Sequence, residues 1–233
     1  MAVPPATNEA FLREVDEELR RDQLAGFWQR YGRWLIAAVF IGLLLFAAFL
    51  FWRNHRANVA GEEGERLQSA YEALAAGRPA DAAAPLDALT KSSSEGHRAL
   101  ALFFQGDILL QRNDLKGAAA KFSEVARDQD LSPAFRDLAL VRQTSAEYDT
   151  LKPQVVIDRL RPMAVPGNAY FGSAGELVAV AHLRTGRRDL AGQLFGQIAR
   201  DENVPASLRQ RAVQMAGLLG VDAIEQNEGQ TKQ

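Results

Sequence analysis

The residues that could perform chemistry in this chain of 233 residues are few and lie far apart. The three histidines, His55, His97 and His182, have neither a carboxylate nor a second histidine at the spacing that a metal ion requires. His182 stands in the apolar stretch LVAVAHL, which is typical of a histidine packed in a helix. The chain has no cysteine, which excludes disulfides, thiolate nucleophiles and sulfur-ligated metals. The sequence thus predicts no metal site.

Serine and glycine motifs also fall short of catalytic patterns. In the sequence FGSAG around Ser173, Phe171 occupies the place of the first glycine of a nucleophile elbow, and no strand is predicted before it. The glycines Gly167, Gly172 and Gly175 lack the Lys-Ser/Thr of a phosphate-binding loop. A formal net charge of −2 argues against nucleic acid as a partner, because phosphate binding needs a concentrated basic face. We therefore expect no enzymatic activity, no catalytic residue, no cofactor and no small-molecule substrate.

The strongest pattern in the sequence is a run of nineteen uncharged residues from Trp34 to Trp52, bounded by Arg33 and Arg53. A helix of that length spans about 28 Å, close to the roughly 30 Å hydrocarbon core of a bilayer. Trp34 and Trp52 then lie at the two headgroup levels, where tryptophan is favoured. The preceding 33 residues are too long and too acidic for the start of a cleaved signal peptide. Residues 34–52 are therefore predicted to be an uncleaved transmembrane anchor.

The arginines near this run predict its orientation only weakly. Four precede it and three follow it, which places residues 1–33 in the cytoplasm by a small margin; they are Arg20, Arg21, Arg30 and Arg33 before the run, and Arg53, Arg56 and Arg66 after it. Apolar residues recur at helical spacing from about residue 8 to 30, so residues 1–33 are predicted to be an amphipathic segment. Residues 53–58 are expected to form a linker.

Beyond the linker, the sequence predicts an all-α fold with an internal repeat. A step of the form A-x-x-x-F/L recurs, and its last residues are 36, 38 and 35 positions apart; the copies are Ala82–Leu86, Ala118–Phe122, the degenerate Val156–Leu160, and Ala191–Phe195. A period near 35 with two helices per unit is typical of an α-solenoid. The predicted helix pairs are 59–90, 96–128, 133–161 and 168–201, with a capping helix at 205–219. The repeat domain is therefore predicted at 59–221, and a disordered tail at 222–233.

These repeats resemble the tetratricopeptide repeat. In the copy ALFFQGDILLQRNDLKGAAAKFSEVA, Gly106 falls at the glycine of the first helix, while Ala118 and Phe122 form the pair of the second helix. The last copy departs from the pattern, with Ala179 in place of the glycine. The register of the repeat places four candidate residues on a protein-binding groove along the first helices; they are Phe103, Asp107, Tyr148 and Glu176.

The whole arrangement resembles the YfgM-like ancillary subunits of the SecYEG translocon, a family with one membrane anchor and a tetratricopeptide-like domain. The string FLREVDEELRRDQLAGFWQRYGRW carries this resemblance most specifically. The resemblance implies a bacterial inner-membrane protein with a cytoplasmic N-terminus and a periplasmic domain. It also implies translocon subunits, a membrane-anchored peptidyl-prolyl isomerase and newly exported chains as partners.

Three functional hypotheses follow from the sequence. The first is a membrane-anchored scaffold or chaperone accessory of protein export, and the second is an envelope or cell-division scaffold with the same topology. The third is an enzyme or small-ligand receptor, which would need a deep pocket with converging polar groups.

Overall fold

The computed structural model describes residues 6–223, and its side chains from residue 30 onward. Within that range the chain forms nine α-helices and no strand, so the predicted all-α class is confirmed. The helices are α1 (Ala6–Ala75), α2 (Pro79–Leu89), α3 (Glu95–Gln111), α4 (Leu115–Arg127), α5 (Pro133–Ala146), α6 (Pro153–Leu160), α7 (Phe171–Arg184), α8 (Arg188–Arg200) and α9 (Ala206–Leu218). The chain divides into two compact units, Met1–Gly61 and Glu62–Gln233.

The first unit contains the apolar run of α1. The best 18-residue window of this helix has a mean hydropathy of 2.7, and none of that window is buried. The helix is thus long and apolar enough to cross a membrane, which is compatible with a single-pass anchor. Both tryptophans that bound the run, Trp34 and Trp52, are exposed. Their position at headgroup level stays a prediction.

Residues 53–58, predicted to be a linker, are helical and belong to α1. The sequence RNHRAN contains neither glycine nor proline, so nothing in it interrupts the helical hydrogen bonds. The side chains of residues 6–29, on which the amphipathic prediction depends, and residues 224–233 of the predicted tail lie outside the described part of the structure.

The second unit is a series of helix pairs that lie close to the predicted ones. The end of α1 precedes α2, and α3 with α4, α5 with α6, and α7 with α8 follow as pairs, before the single helix α9. The turn within three of these pairs contains a residue with positive φ; these residues are Gly77 (φ 70°), Asn113 (φ 59°) and Gly186 (φ 75°). Glycine and asparagine adopt this left-handed conformation at the least steric cost, which explains a helix end at each of the three positions.

The repeated A-x-x-x-F/L pairs form the core of the second unit. All eight of their residues are at most 1% exposed; they are Ala82, Leu86, Ala118, Phe122, Val156, Leu160, Ala191 and Phe195. Gly106 shows why the second repeat carries a glycine, because a Cβ built there would lie 2.5 Å from the ring of Phe122. The periodicity in the sequence therefore corresponds to contacts between the two helices of each pair.

Candidate protein-binding groove

A surface groove runs along the first helices of successive pairs. It contains a cavity of about 460 Å³, which is lined by residues of α3, α4, α5, α7 and α9. Its lining residues are Leu110, Leu115, Val141, Arg142, Ser145, Ala146, Ser173, Glu176, Leu177, Leu208 and Arg211. Its size is within the range of ligand pockets, roughly 300–1,000 Å³. Leucines, valine and alanine make much of its floor apolar, and charged side chains are grouped along it in pairs.

Two ion pairs join the first helices of neighbouring repeats along the groove. Arg142 on α5 binds the carboxylate of Asp107 on α3 with two guanidinium nitrogens, and its Nη1 lies 3.3 Å from Asp107 Oδ2. Arg211 on α9 binds Glu176 on α7 in the same two-point manner, with distances of 2.9 Å from Nε to Oε1 and 2.8 Å from Nη2 to Oε2. Each acid precedes its arginine by 35 residues, which is the repeat period. The charges of the groove are therefore largely neutralised within the protein.

Two aromatic rings lie close to the arginine of the first of these pairs. The guanidinium carbon of Arg142 lies 4.7 Å from the ring centroid of Phe122 and 5.9 Å from that of Phe103. Both distances allow cation–π attraction between the guanidinium group and the rings. Phe103 itself is only 5% exposed and packs against Phe122, with 6.0 Å between the ring centroids.

The four candidate groove residues therefore occupy different environments. Phe103 lies in the core rather than on the groove surface, because its ring packs against the second helix of its own pair. Asp107 and Glu176 lie on the groove side, each held by an arginine, and Glu176 lines the cavity. Tyr148 is outside the cavity lining, its hydroxyl lies 3.4 Å from the carbonyl oxygen of Leu177, and burial raises its pKa. A role of these four residues in partner binding stays a prediction.

Sequence reasoning missed Arg142 and Arg211, although a signal for both was present. An acid followed by an arginine exactly one repeat period later occurs at Asp107 with Arg142 and at Glu176 with Arg211. First helices of adjacent units lie side by side in a solenoid, so this spacing predicts an ion pair between units. A search for charge pairs at the repeat period would have found both.

One histidine takes part in a buried polar cluster that the sequence did not reveal. His97 Nδ1 lies 3.0 Å from Glu63 Oε2, and the hydroxyl of Ser92 donates a hydrogen bond to the same oxygen at 2.7 Å. Burial acts to raise the pKa of Glu63, but the hydrogen bonds from His97 and Ser92 outweigh it, so the pKa lies below its ordinary value. Because Ser92 and His97 both bond to the carboxylate of Glu63, this cluster ties the end of α1 to the start of α3.

The other residues considered for chemistry are not brought together. The ring of His55 stacks on that of Phe51 in the first unit, with centroids 6.5 Å apart. Ser173 lines the groove, and among residues 30–223 no hydrogen bond joins it to a histidine or a carboxylate. The described side chains contain no group of three or more histidines and acids that could hold a metal ion.

Helix pairs that bury a repeated small-large step and present a groove along their first helices define an all-helical repeat protein. A family model described as a tetratricopeptide repeat-like domain matches residues 26–215. This match covers most of the chain, so the protein belongs to the tetratricopeptide repeat-like family. No curated protein and no solved structure matches the chain. A domain of this family supports a role in protein–protein interaction in general.

Proposed function

We propose that this protein is a membrane-anchored scaffold whose groove holds a segment of a partner protein. The observation that carries the proposal is the cavity of about 460 Å³ along the first helices, with an apolar floor and charges that are already paired. Concave surfaces of repeat proteins offer an extended area to a partner chain.

The chemistry of the groove favours a partner segment with apolar side chains. Arg142 and Arg211 each have a carboxylate partner inside the protein, so an acidic ligand would have to displace Asp107 or Glu176. Leu115, in contrast, is 43% exposed and lines the cavity. An apolar side chain that covers it removes about 25 cal/mol of unfavourable hydration per Å² buried.

For the cellular setting, we infer a bacterial inner-membrane protein with its N-terminus in the cytoplasm and its repeat domain in the periplasm. The arginine bias around residues 34–52 and the resemblance to the YfgM-like subunits support this orientation. The same resemblance supports translocon subunits, a membrane-anchored peptidyl-prolyl isomerase and newly exported chains as partners. In that setting the groove would hold segments of newly exported proteins.

The partner proposal is tested by photocrosslinking in intact membranes. A benzoylphenylalanine replaces Leu115 inside the groove, and a matched variant carries it at Val155, which is exposed to a similar degree on α6. Translocon subunits, the isomerase or exported chains should be recovered from the Leu115 position and not from Val155. Recovery of cell-wall synthases instead would favour the envelope or cell-division scaffold, and equal recovery from both positions would contradict binding in the groove.

Orientation is tested separately by adding protease to intact spheroplasts. We expect the repeat domain to be degraded while residues 1–33 are protected. Survival of the repeat domain would place it in the cytoplasm and overturn the proposed location.

A further inference from the structure

A second cavity, of about 330 Å³, lies between α6, α7 and α8 and shares no lining residue with the groove. It is lined by Gln154, Ile157, Arg161, Ala164, Val178, His182, Arg187, Leu190, Gln193, Leu194 and Gln197. Two arginines, a histidine and three glutamines thus surround five aliphatic side chains, and no acid is among them. The cavity therefore differs from the groove, because each arginine of the groove is paired with a carboxylate.

Neither arginine of this cavity has a carboxylate partner among the side chains that the structure describes. Arg187 donates from Nη2 to Gln154 Oε1 at 3.2 Å and from Nε to Thr185 Oγ1 at 2.9 Å, and both acceptors are uncharged. These bonds fix the guanidinium at the cavity wall, and no carboxylate of residues 30–223 is paired with it. Arg161 is exposed, and it makes no side-chain hydrogen bond or ion pair within residues 30–223.

The carboxylates on the same helices do not line the cavity. Asp158 on α6 accepts a hydrogen bond from Gln154 Nε2 at 2.8 Å, which turns the amide oxygen of Gln154 toward Arg187. Asp189 belongs to the first turn of α8 and is also absent from the lining. The cavity therefore has net positive charge, which attracts an anionic group.

His182 adds a polar atom that lacks a partner. Its Nδ1 is buried without a hydrogen bond, although most buried polar atoms in proteins have one. Burial, and secondarily the charge of Arg187, lower the pKa of His182, so the imidazole is neutral near pH 7. His182 lines the cavity, and a neutral imidazole carries one N–H group that can donate a hydrogen bond to an anionic ligand.

The apolar lining of the cavity is partly exposed to solvent. Ile157 and Val178 are buried at its wall, whereas Leu190 is 44% exposed. An open, partly apolar rim suits a ligand that continues beyond the cavity, as a polypeptide does, better than a small ion that the protein would enclose.

We propose that the cavity between α6, α7 and α8 binds an acidic peptide segment, with a carboxylate held by Arg187 and Arg161 and an adjoining aliphatic side chain packed against Leu190. A planar carboxylate matches the fork of a guanidinium group, and His182 and the glutamines complete its hydrogen bonds. This site is independent of the proposed groove. A single molecule could therefore hold an apolar segment and an acidic segment at the same time.

The test uses the full chain in detergent micelles with isotope-labelled histidine. Because the chain has only three histidines, the imidazole signal of His182 is assigned by its loss in His182→Gln. The probe is the capped tripeptide acetyl-Leu-Glu-Leu-amide, and acetyl-Leu-Gln-Leu-amide is the matched control of equal shape without charge. We expect the glutamate peptide to shift the His182 signal saturably and to raise its pKa. The glutamine peptide should bind at least about tenfold more weakly, because it lacks the charge-assisted hydrogen bonds.

Arginine variants locate the binding in this cavity. Arg161→Gln, which removes no side-chain hydrogen bond or ion pair among residues 30–223, and Arg187→Gln should each weaken binding of the glutamate peptide about tenfold. The control is Arg112→Gln, an exposed arginine in the turn between α3 and α4 that lines neither cavity. Equal affinity for both peptides, or unchanged affinity in both cavity variants, would overturn the proposal. If 3-methylbutanoate bound as tightly as the peptide, the site would belong to a small carboxylate rather than to a polypeptide.

Discussion

Phenylalanine occupies opposite environments in the two units of this protein. Phe40 and Phe46 of α1 are 63% and 59% exposed, whereas Phe122 and Phe195 of the repeat unit are at most 1% exposed. Both pairs of residues stand in regular helices, so secondary structure does not explain the difference. The spacing of apolar residues does, because the run in α1 is apolar on every side of the helix while the repeat helices are apolar on one side. The first pattern is compatible with a membrane span, and the second requires a neighbouring helix.

Removing one phenylalanine ring from each environment is expected to give the largest difference in the free energy of unfolding. Phe122→Ala leaves a cavity between α3 and α4 and should lower the free energy of unfolding of the repeat unit by about 3–5 kcal/mol. Phe46→Ala, the matched change in α1, should leave that free energy nearly unchanged. Urea unfolding of the full chain in micelles, followed by circular dichroism, measures both variants. A large loss in Phe46→Ala would show that the two environments are not energetically separate.

A smaller effect tests how tightly the repeat helices approach each other. In Gly106→Ala the new Cβ meets the ring of Phe122 at 2.5 Å, so overpacking should destabilise the repeat unit by about 1–3 kcal/mol. Gly96→Ala, in the same helix, meets no atom within 4 Å and should be neutral or stabilising by up to about 1 kcal/mol. The same urea titration distinguishes the two. Equal behaviour of both variants would mean that Phe122 can move aside at little cost.

The sequence predicted the fold well because its repeats record contacts between neighbouring helices. The A-x-x-x-F/L steps and the turn residues Gly77, Asn113 and Gly186 determined the helix pairs, and the structure buries those steps. Residues 53–58, predicted to be a linker, are helical, since a composition change after an apolar run does not by itself end a helix. Their role as a linker stays a prediction.

The repeat register alone does not determine which residues face the groove. The repeat register assigns a residue to a helix, but the rotation of that helix decides whether the side chain faces the groove, as Glu176 does, or the core, as Phe103 does. The cavity around His182 combines residues of three helices and has no repeated counterpart, so no period in the sequence indicates it. Contacts that occur only once in a solenoid leave no repeated pattern in the sequence, so the structure is needed to find them.

An effect of intermediate size concerns the buried cluster of Glu63, Ser92 and His97. Because the pKa of Glu63 is lowered in the folded protein, its contribution to stability is complete above the unfolded value of 4.5 and is lost as the pH falls through the lower folded value. Ser92→Ala removes one hydrogen bond to this carboxylate and should cost about 1.5 kcal/mol at neutral pH. Glu63→Gln should abolish that part of the acid dependence below pH 4.5, measured by urea unfolding at several pH values. An unchanged dependence in Glu63→Gln would assign acid sensitivity to other carboxylates.

The smallest effect is expected from the ion pair of Glu176 with Arg211. The side chains of the two residues are 30% and 55% exposed, so solvent screens their attraction and Glu176→Gln should cost only about 0.5 kcal/mol. The cost should fall further at 1 M salt, where charges interact over about 3 Å. Phe122→Ala, whose effect arises from packing, should lower the free energy of unfolding by the same amount at 1 M salt. If Glu176→Gln cost several kcal/mol independently of salt, the pair would hold the units of the solenoid together as strongly as the core does. A small, salt-dependent cost would instead leave the pair free to open when a partner enters the groove.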